Sequence, residues 1–326
     1  MRKMWVALLA VALVAGMIQS GWAQSAAKYP TKAIAVIHGF KPGGGSDQLA
    51  QLTGPFLEKV MKQQWVNVYK PGADGAIAWK EVGRNTKPDG YTLTTVLTPK
   101  TQMNAHVLDN AGYVMSDFEP IANMVFDPGI LVVAVNSKIK TVKDLLDAAK
   151  KSPDTVTLAH SGNGGDDWFN GVMIERLTGV KFNLVPFEGD GPATQAAAGE
   201  HVDACTSNIS LVIPLLKAGK LRALGVYTEQ RLPAAPDVPT LKELGVNLVE
   251  GSYRGYLAPK GTPKEIVDTL ADAMEKVAND PEYRKLCDSN NLLVDFKKGD
   301  ANRRWLQEQD QKLLKIAQDM GLAKKK

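Results

Sequence analysis

The sequence predicts an α/β fold arranged as two domains. Three observations carry that expectation. Short β-branched apolar runs alternate with helix-patterned segments from residue 33 onward, the pattern of parallel sheets covered on both faces. The alternation continues over about 300 residues, which two α/β domains accommodate better than one. A loop-rich stretch at 98–120 and a tail of consecutive helices interrupt the even repeat that a (β/α)8 barrel, the structural rival, requires.

Taken in order, Ala33–His38 reads as a strand, and Gln48–Met61 as a helix with Leu49, Leu52, Phe56, Leu57 and Val60 on one face. Trp65–Tyr69 is strand-like, Gly75–Arg84 helical and Tyr91–Leu97 a strand again. Ile130–Val135 is uninterrupted and apolar, as a strand buried on both faces should be. A helix over Thr141–Lys151 follows, with Thr141 placed to cap it. Strands at Val156–His160, Phe182–Pro186, Val202–Thr206 and Leu221–Tyr227 then alternate with helices at Trp168–Leu177, Pro192–Ala198 and Ile209–Ala218. After a proline-rich stretch at Leu232–Thr240, Tyr253–Ala258 resumes as a strand, and three helices begin near Pro263, Pro281 and Asp300.

Composition narrows the class. The chain has 326 residues, 44% of them hydrophobic, with two cysteines and four histidines, which excludes a disulfide scaffold and a disordered chain. A mean hydropathy of -0.17 does not suit a multi-span membrane protein. The formal charge of +4 hints at anionic partners, but Arg2 and Lys3 belong to a leader and Lys324, Lys325 and Lys326 end the chain. The body is therefore near neutral and nucleic-acid binding loses its electrostatic support.

Residues 1–23 read as a secretory signal peptide: Arg2 and Lys3, an apolar run from Trp5 to Ile18, then Gly21-Trp22-Ala23 before a cut at Gln24. The run falls short of the roughly 20 residues needed to span a bilayer, so the mature protein is expected to be soluble outside the cytoplasm. An oxidising compartment permits a disulfide, but Cys205 in a strand-like run and Cys287 on a helix read as two buried thiols.

Chemistry should lie in the glycine loops between strands and helices. In the first, Gly39-Phe40-Lys41-Pro42-Gly43-Gly44-Gly45-Ser46-Asp47, glycines let the backbone approach a ligand and Ser46 or Asp47 can cap the helix. The helix N-terminus then offers free N–H groups to an anion. Gly45 stands where a P-loop needs lysine, and Gln48 where a dinucleotide fingerprint needs glycine. A second loop, His160-Ser161-Gly162-Asn163-Gly164-Gly165-Asp166-Asp167, and a third, Pro186-Phe187-Glu188-Gly189-Asp190-Gly191-Pro192, again lead from strand to helix. Loops of two domains facing one another would clasp a small carboxylate. Asp166, Asp167, Glu188 and Asp190 would repel it unless they cap helices, pair with Lys41 or Arg254, or receive an amino group of the ligand. Trp168 and Phe169 could line the pocket or pack in the core.

Enzyme signatures are poor. His38, His106, His160 and His201 lack metal-ligand spacing, no HExxH or CxxC occurs, and there is no Gly-x-Ser-x-Gly elbow. No catalytic residue, metal or cofactor is expected.

The chain resembles the Bug-type extracytoplasmic solute receptors of tripartite tricarboxylate transporters, from Tyr29 to about Arg304. The resemblance rests on Tyr29-Pro30-Thr31-Lys32, Pro42-Gly43-Gly44-Gly45-Ser46-Asp47, Pro71-Gly72-Ala73-Asp74-Gly75-Ala76-Ile77 and Lys87-Pro88-Asp89-Gly90-Tyr91-Thr92-Leu93. It continues through Val185-Pro186-Phe187-Glu188-Gly189, Gly199-Glu200-His201-Val202-Asp203, Gly219-Lys220-Leu221-Arg222-Ala223-Leu224, Ala235-Pro236-Asp237-Val238-Pro239-Thr240 and Ala258-Pro259-Lys260-Gly261-Thr262-Pro263.

The resemblance implies a two-lobed, type II-like periplasmic binding protein fold. Residues 24–126 with 253–326 would form domain one and 127–252 domain two, the chain crossing near residues 127 and 252. A carboxylate would bind in the cleft through Gly44, Gly45, Ser46, Asp47 and Gly75 of domain one, with Phe40 and Lys41 in the same loop. Domain two would contribute Ser161, Gly162, Gly164, Phe187, Gly189 and Asn208, with Asp166 and Trp168 alongside. This chain departs from the family at Gly165 and Trp168, where Ser or Thr and His are common, and at Asp74, where Gly is usual. The implied protein is a monomeric periplasmic receptor that captures a C4–C6 dicarboxylate or a tricarboxylate by hinge closure and delivers it to integral-membrane permease subunits. An aromatic acid such as terephthalate is the alternative ligand, and a secreted serine hydrolase the competing class.

Overall fold

The computed structural model describes residues 29–233 and 235–324. The expected leader lies outside the described residues. Ten strands and ten α-helices are found among them. The first half reads β1 (Ile34–His38), α1 (Gly45–Met61), β2 (Trp65–Tyr69), α2 (Ala76–Asn85), β3 (Thr92–Thr98), α3 (Lys100–Val107), β4 (Phe118–Ala134), α4 (Val142–Lys151) and β5 (Thr157–His160). Then come α5 (Asp166–Thr178), β6 (Asn183–Pro186), α6 (Asp190–Ala198), β7 (Ala204–Asn208), α7 (Ile209–Lys217), β8 (Leu221–Val226), β9 (Gly251–Pro259), α8 (Lys264–Ala278), α9 (Pro281–Ser289), β10 (Leu293–Lys298) and α10 (Gly299–Asp319).

Two sheets share one strand. In the first sheet β1 lies parallel between β2 and β3, β9 runs antiparallel to β3, and the first part of β4 pairs antiparallel with β9 and β10. In the second, β5 pairs parallel with β6 and β7, while the last part of β4 pairs antiparallel with β7 and β8. The expectation of wholly parallel sheets is corrected here: β4 and β9 run through the region where one sheet gives way to the other and enter against the direction of their neighbours.

Period-two alternation sorts the side chains of β4. Leu131 and Val133 enter a core with Leu145, Leu158 and Tyr227, while Ile130 and Val132 enter one with Ile209 and Val212. That explains why this stretch reads as one continuous apolar run. In the first sheet Ile34, Val36, Leu93 and Tyr256 pack under α1 and α8, and Ile37, Val96 and Leu257 pack with Trp79 on the opposite face.

Three local expectations need correction. Residues 98–120 contain α3, whose mixed polarity hides any helical stripe, and the start of β4 at Phe118, whose course to Asp127 is masked by Pro120 and Asn123. β10, half polar, joins the antiparallel edge of the first sheet between two of the C-terminal helices. Neither Ser46 nor Asp47 is the N-cap of α1, which is Gly44, and Gly165 takes that position in α5. Thr141 does cap α4, in a reciprocal box with Asp144. Cys205 and Cys287 are free thiols buried in separate cores.

Candidate functional site

Six strand ends and helix starts converge on one seam. From the first sheet come the β1–α1 loop, the β2–α2 loop and the start of α3; from the second come the β5–α5, β6–α6 and β7–α7 turns. Carboxyl ends of parallel strands always deliver the following helix N-termini to one edge, which is why glycine loops far apart in sequence meet here.

The base of the seam is built on Arg254 of β9, which is 1% exposed. Its guanidinium donates to Asp127 Oδ2 at 2.6 Å, Gln48 Oε1 at 2.8 Å and Asn208 Oδ1 at 3.3 Å. These acceptors sit on β4, α1 and the end of β7, so one side chain ties both sheets to the first glycine loop. Gly45 is required at this point: a Cβ there would lie 2.6 Å from Arg254 Cζ. Ser210 adds a hydroxyl donor to Asp127 Oδ2 at 2.5 Å. Burial still pushes the Asp127 carboxyl above its usual range, against the pull of Arg254.

A second bridge crosses the seam at Lys100, the first residue of α3 and 6% exposed. Its ammonium donates to Asp74 Oδ1 and to the main-chain oxygen of Asn163, each at 2.9 Å. Asp74, held at φ +56°, is positioned by Asn104, which donates to its main-chain oxygen at 2.7 Å. Gly164, at φ +75°, lets the second glycine loop approach Asn104; a Cβ would lie 2.8 Å from its Oδ1. The Phe40 ring lies 6.0 Å from the Lys100 ammonium and packs edge-on against Trp79.

The remaining expected residues fall into distinct surroundings. Ser46 is 1% exposed, and its Oγ has no partner among the described residues. Desolvation opposes ionisation of Asp47, but hydrogen bonds from Tyr69 Oη and the Gly43 N–H hold its carboxyl below the usual range. Lys41 is exposed, and Gly75 packs against Phe40 and Trp79. Gly162 adjoins Lys100, Asp74 and the Phe187 carbonyl, and Gly189 is the N-cap of α6. Asn208 donates to Asp166 Oδ2 at 2.6 Å. Trp168 packs with Met103, Val107 and Leu313 beside the seam.

Lys100, Asn104 and Arg254 carry the geometry yet escaped selection as binding residues. A lone lysine in a loop-rich segment looks solvated, and nothing in the sequence showed that α3 begins beneath Asp74. The signals present were Asp74, the departure from glycine, and Arg254, named as a possible partner of the loop acids.

No catalytic constellation forms among the described residues. Ser161 Oγ donates to Asp167 Oδ2 at 2.6 Å rather than to a histidine, and His160 Nδ1 accepts from the Gly162 N–H. Burial pushes His160 down to about 4, so it is neutral and carries its proton on Nε2. No metal-binding group of His, Cys, Asp or Glu and no helix long and apolar enough to cross a membrane is found among the described residues.

Comparison with known proteins gives this architecture a family. A curated relative from Cupriavidus necator, the UPF0065 protein in the gbd 5' region, is 30% identical over 91% of this chain and 90% of its own. A Rhodopseudomonas palustris protein solved with adipate superposes with a TM-score of 0.82 at 27% identity, covering 90% of this chain and 99% of that one. MatC from the same organism, solved with bound malate, gives 0.79 at 27% identity over 88% and 99%. The relatives are two-lobed solute-binding receptors, not enzymes. The model of the tripartite tricarboxylate transporter family receptor matches residues 51–322, and the chain belongs to that family of periplasmic solute-binding proteins.

Proposed function

We propose that this receptor captures a small organic carboxylate in the seam by closure of two lobes and passes it to membrane permease subunits. The lobes would be residues 24–126 with 253–326, and residues 127–252, joined where β4 and β9 cross. The carrying observation is the first glycine loop: Gly44 and Gly45 at the N-terminus of α1, with the buried, unpartnered Ser46 Oγ beside them. Backbone N–H groups and a hydroxyl at a helix start suit a carboxylate, which needs several donors and no fixed cation.

The second lobe would present Ser161, Gly162, Gly164, Phe187, Gly189 and Asn208, completing a site that exists only when the lobes meet. A ligand contacting both walls stabilises the closed state by contacts absent when open. Malate and adipate, bound by the two R. palustris relatives, support the size class. Export through the cleaved leader agrees with the periplasmic family.

A thermal-shift screen of C4–C6 dicarboxylates, tricarboxylates and terephthalate, followed by calorimetry, tests the reading. At least one acid should raise the melting temperature, and Gly45→Ala should abolish the response. Absence of stabilisation by any carboxylate would refute it, and ester turnover lost in Ser161→Ala would favour a hydrolase instead.

A further inference from the structure

In the proposed division α3 and α10 belong to the first lobe and α5 to the second, yet the three pack together. Lys100, Met103, Asn104 and Val107 follow the i, i+3, i+4, i+7 spacing of one face of α3. That face meets the second glycine loop and α5. Lys100 donates to the Asn163 carbonyl at 2.9 Å, a Cβ on Gly164 would lie 2.8 Å from Asn104 Oδ1, and Met103 shares a buried cluster with Phe169.

The contact is apolar in one part and polar in the other. Met103 and Val107 pack with Phe169 and Met173 of α5 and with Leu313 and Ile316 of α10. Arg176 of α5 also pairs with Asp319 of α10 at 3.0 Å. The unbranched methionine side chains let such packing persist through small rotations. Lys100 and Asn104, which face the glycine loop, are 6% and 0% exposed, and Asn104 Oδ1 has no hydrogen-bond partner among the described residues. A buried amide oxygen without a donor costs free energy that water would relieve on separation. The apolar part therefore suits a pivot, and the polar part a contact that can open and shut.

Asp74 sets the strength of that polar contact. It lies in the same lobe as Lys100, so their 2.9 Å pair does not depend on closure. A lysine without a counter-ion would resist leaving water as the lobes meet. With Asp74 beside it, closure has only to supply the Asn163 carbonyl. Asp74 stands at φ +56°, which glycine adopts with less strain, and Asn104 holds it there by donating to its main-chain oxygen at 2.7 Å. One asparagine thus presents the carboxylate and forms part of the docking face.

We propose that Lys100, positioned by Asp74, is a closure latch that holds the lobes together before any solute arrives and so sets how tightly every solute is retained. The inference rests on the two-lobe receptor reading and deepens it. Lys100 is a positioning residue here: it acts through the Asn163 carbonyl and not by touching the ligand. Apparent affinity scales with the fraction of molecules already in the binding-competent state. Loosening the latch therefore weakens all ligands by one factor.

Small-angle X-ray scattering and calorimetry on the full mature protein, unfolded and refolded to strip carried ligand, test this with Lys100→Met and Asp74→Asn. Ligand-free, each variant should have a larger radius of gyration than the wild type at unchanged mass, and saturation with a bound acid should restore the wild-type value. Dissociation constants for those of malate, adipate and terephthalate that bind should rise by a common factor of about five or more. The Asp74 side chain is 38% exposed, so Asp74→Asn should fold even where Lys100→Met does not. A ligand-free radius unchanged in every variant that folds would overturn the inference, because a direct ligand contact weakens binding without opening the empty protein. Affinity losses differing by more than about threefold between acids would overturn it as well. Expansion of the ligand-free variants, with no carboxylate bound by any form, would refute the carboxylate reading and leave the latch standing.

Discussion

Removing the Arg254 guanidinium should be among the most damaging single changes available to this fold. Arg254→Met keeps most of the aliphatic stem but strands Asp127, which is 0% exposed. At an effective dielectric of about 20 and a charge separation of about 4 Å, the lost attraction is about 4 kcal/mol. Breaking a buried pair from one side costs about 3–5 kcal/mol by experience with other proteins, which agrees. Asp127 has an escape, because it can take up a proton. Burial already outweighs Arg254 in setting its carboxyl above the usual range, and without the guanidinium the value rises further. The loss should therefore be full near pH 8 and shrink toward pH 5. Urea unfolding at both pH values measures it, and adding Asp127→Asn should recover most of the pH 8 deficit. A deficit under about 1 kcal/mol at pH 8, or one that the second substitution leaves unchanged, would refute the reasoning.

Asp166, faced by Asp190, Asp127, Arg254 and Asn208, has a folded pKa of about 6 against an ordinary value near 3.8. Its contribution to stability, on the order of 3 kcal/mol, is present below about pH 4 and lost as pH rises through 6. His160, at about 4 when folded against 6.5, acts oppositely and loses its contribution as pH falls through that window. The difference in urea midpoint between wild type and Asp166→Asn across pH 4–7 isolates the first slope. Lys100→Met removes the bond to Asn163, so hydrogen exchange should quicken at Gly162–Gly165 while protection in β1 and β3 stays unchanged. Thr141→Ala removes the cap of α4 and should lower stability by about 1 kcal/mol in denaturant titrations.

Local patterns made much of the fold legible, since apolar runs such as Trp65–Tyr69 and Leu221–Val226 carry their own period. What failed was set by distant partners. The Phe118–Asp127 part of β4 contains Pro120, Asn123 and Asp127, which read as loop residues, yet β9 and β10 flank it. The glycine loops of the site were visible because glycine and helix starts leave a local trace. Lys100 was not, and Arg254 was named only as a possible partner of the loop acids, because burial of a cation depends on a carboxylate and an amide brought from other elements. The acidic residues were seen, but that Asp166, Asp167 and Asp190 form no ion pair among the described residues required coordinates.

β4 runs unbroken from Phe118 to Ala134 and is paired with β9 through Pro128. No slack linker separates the sheets, so lobe movement of the kind proposed would have to twist a hydrogen-bonded ribbon rather than swing on a tether. Register shifts after Pro120 and Asn123 and after Leu131 mark where extra twist is most easily absorbed. A ribbon wound by closure resists further winding and unwinds when released. The receptor would thus contain its own return spring, and part of the binding energy would be held as torsion until the solute departs.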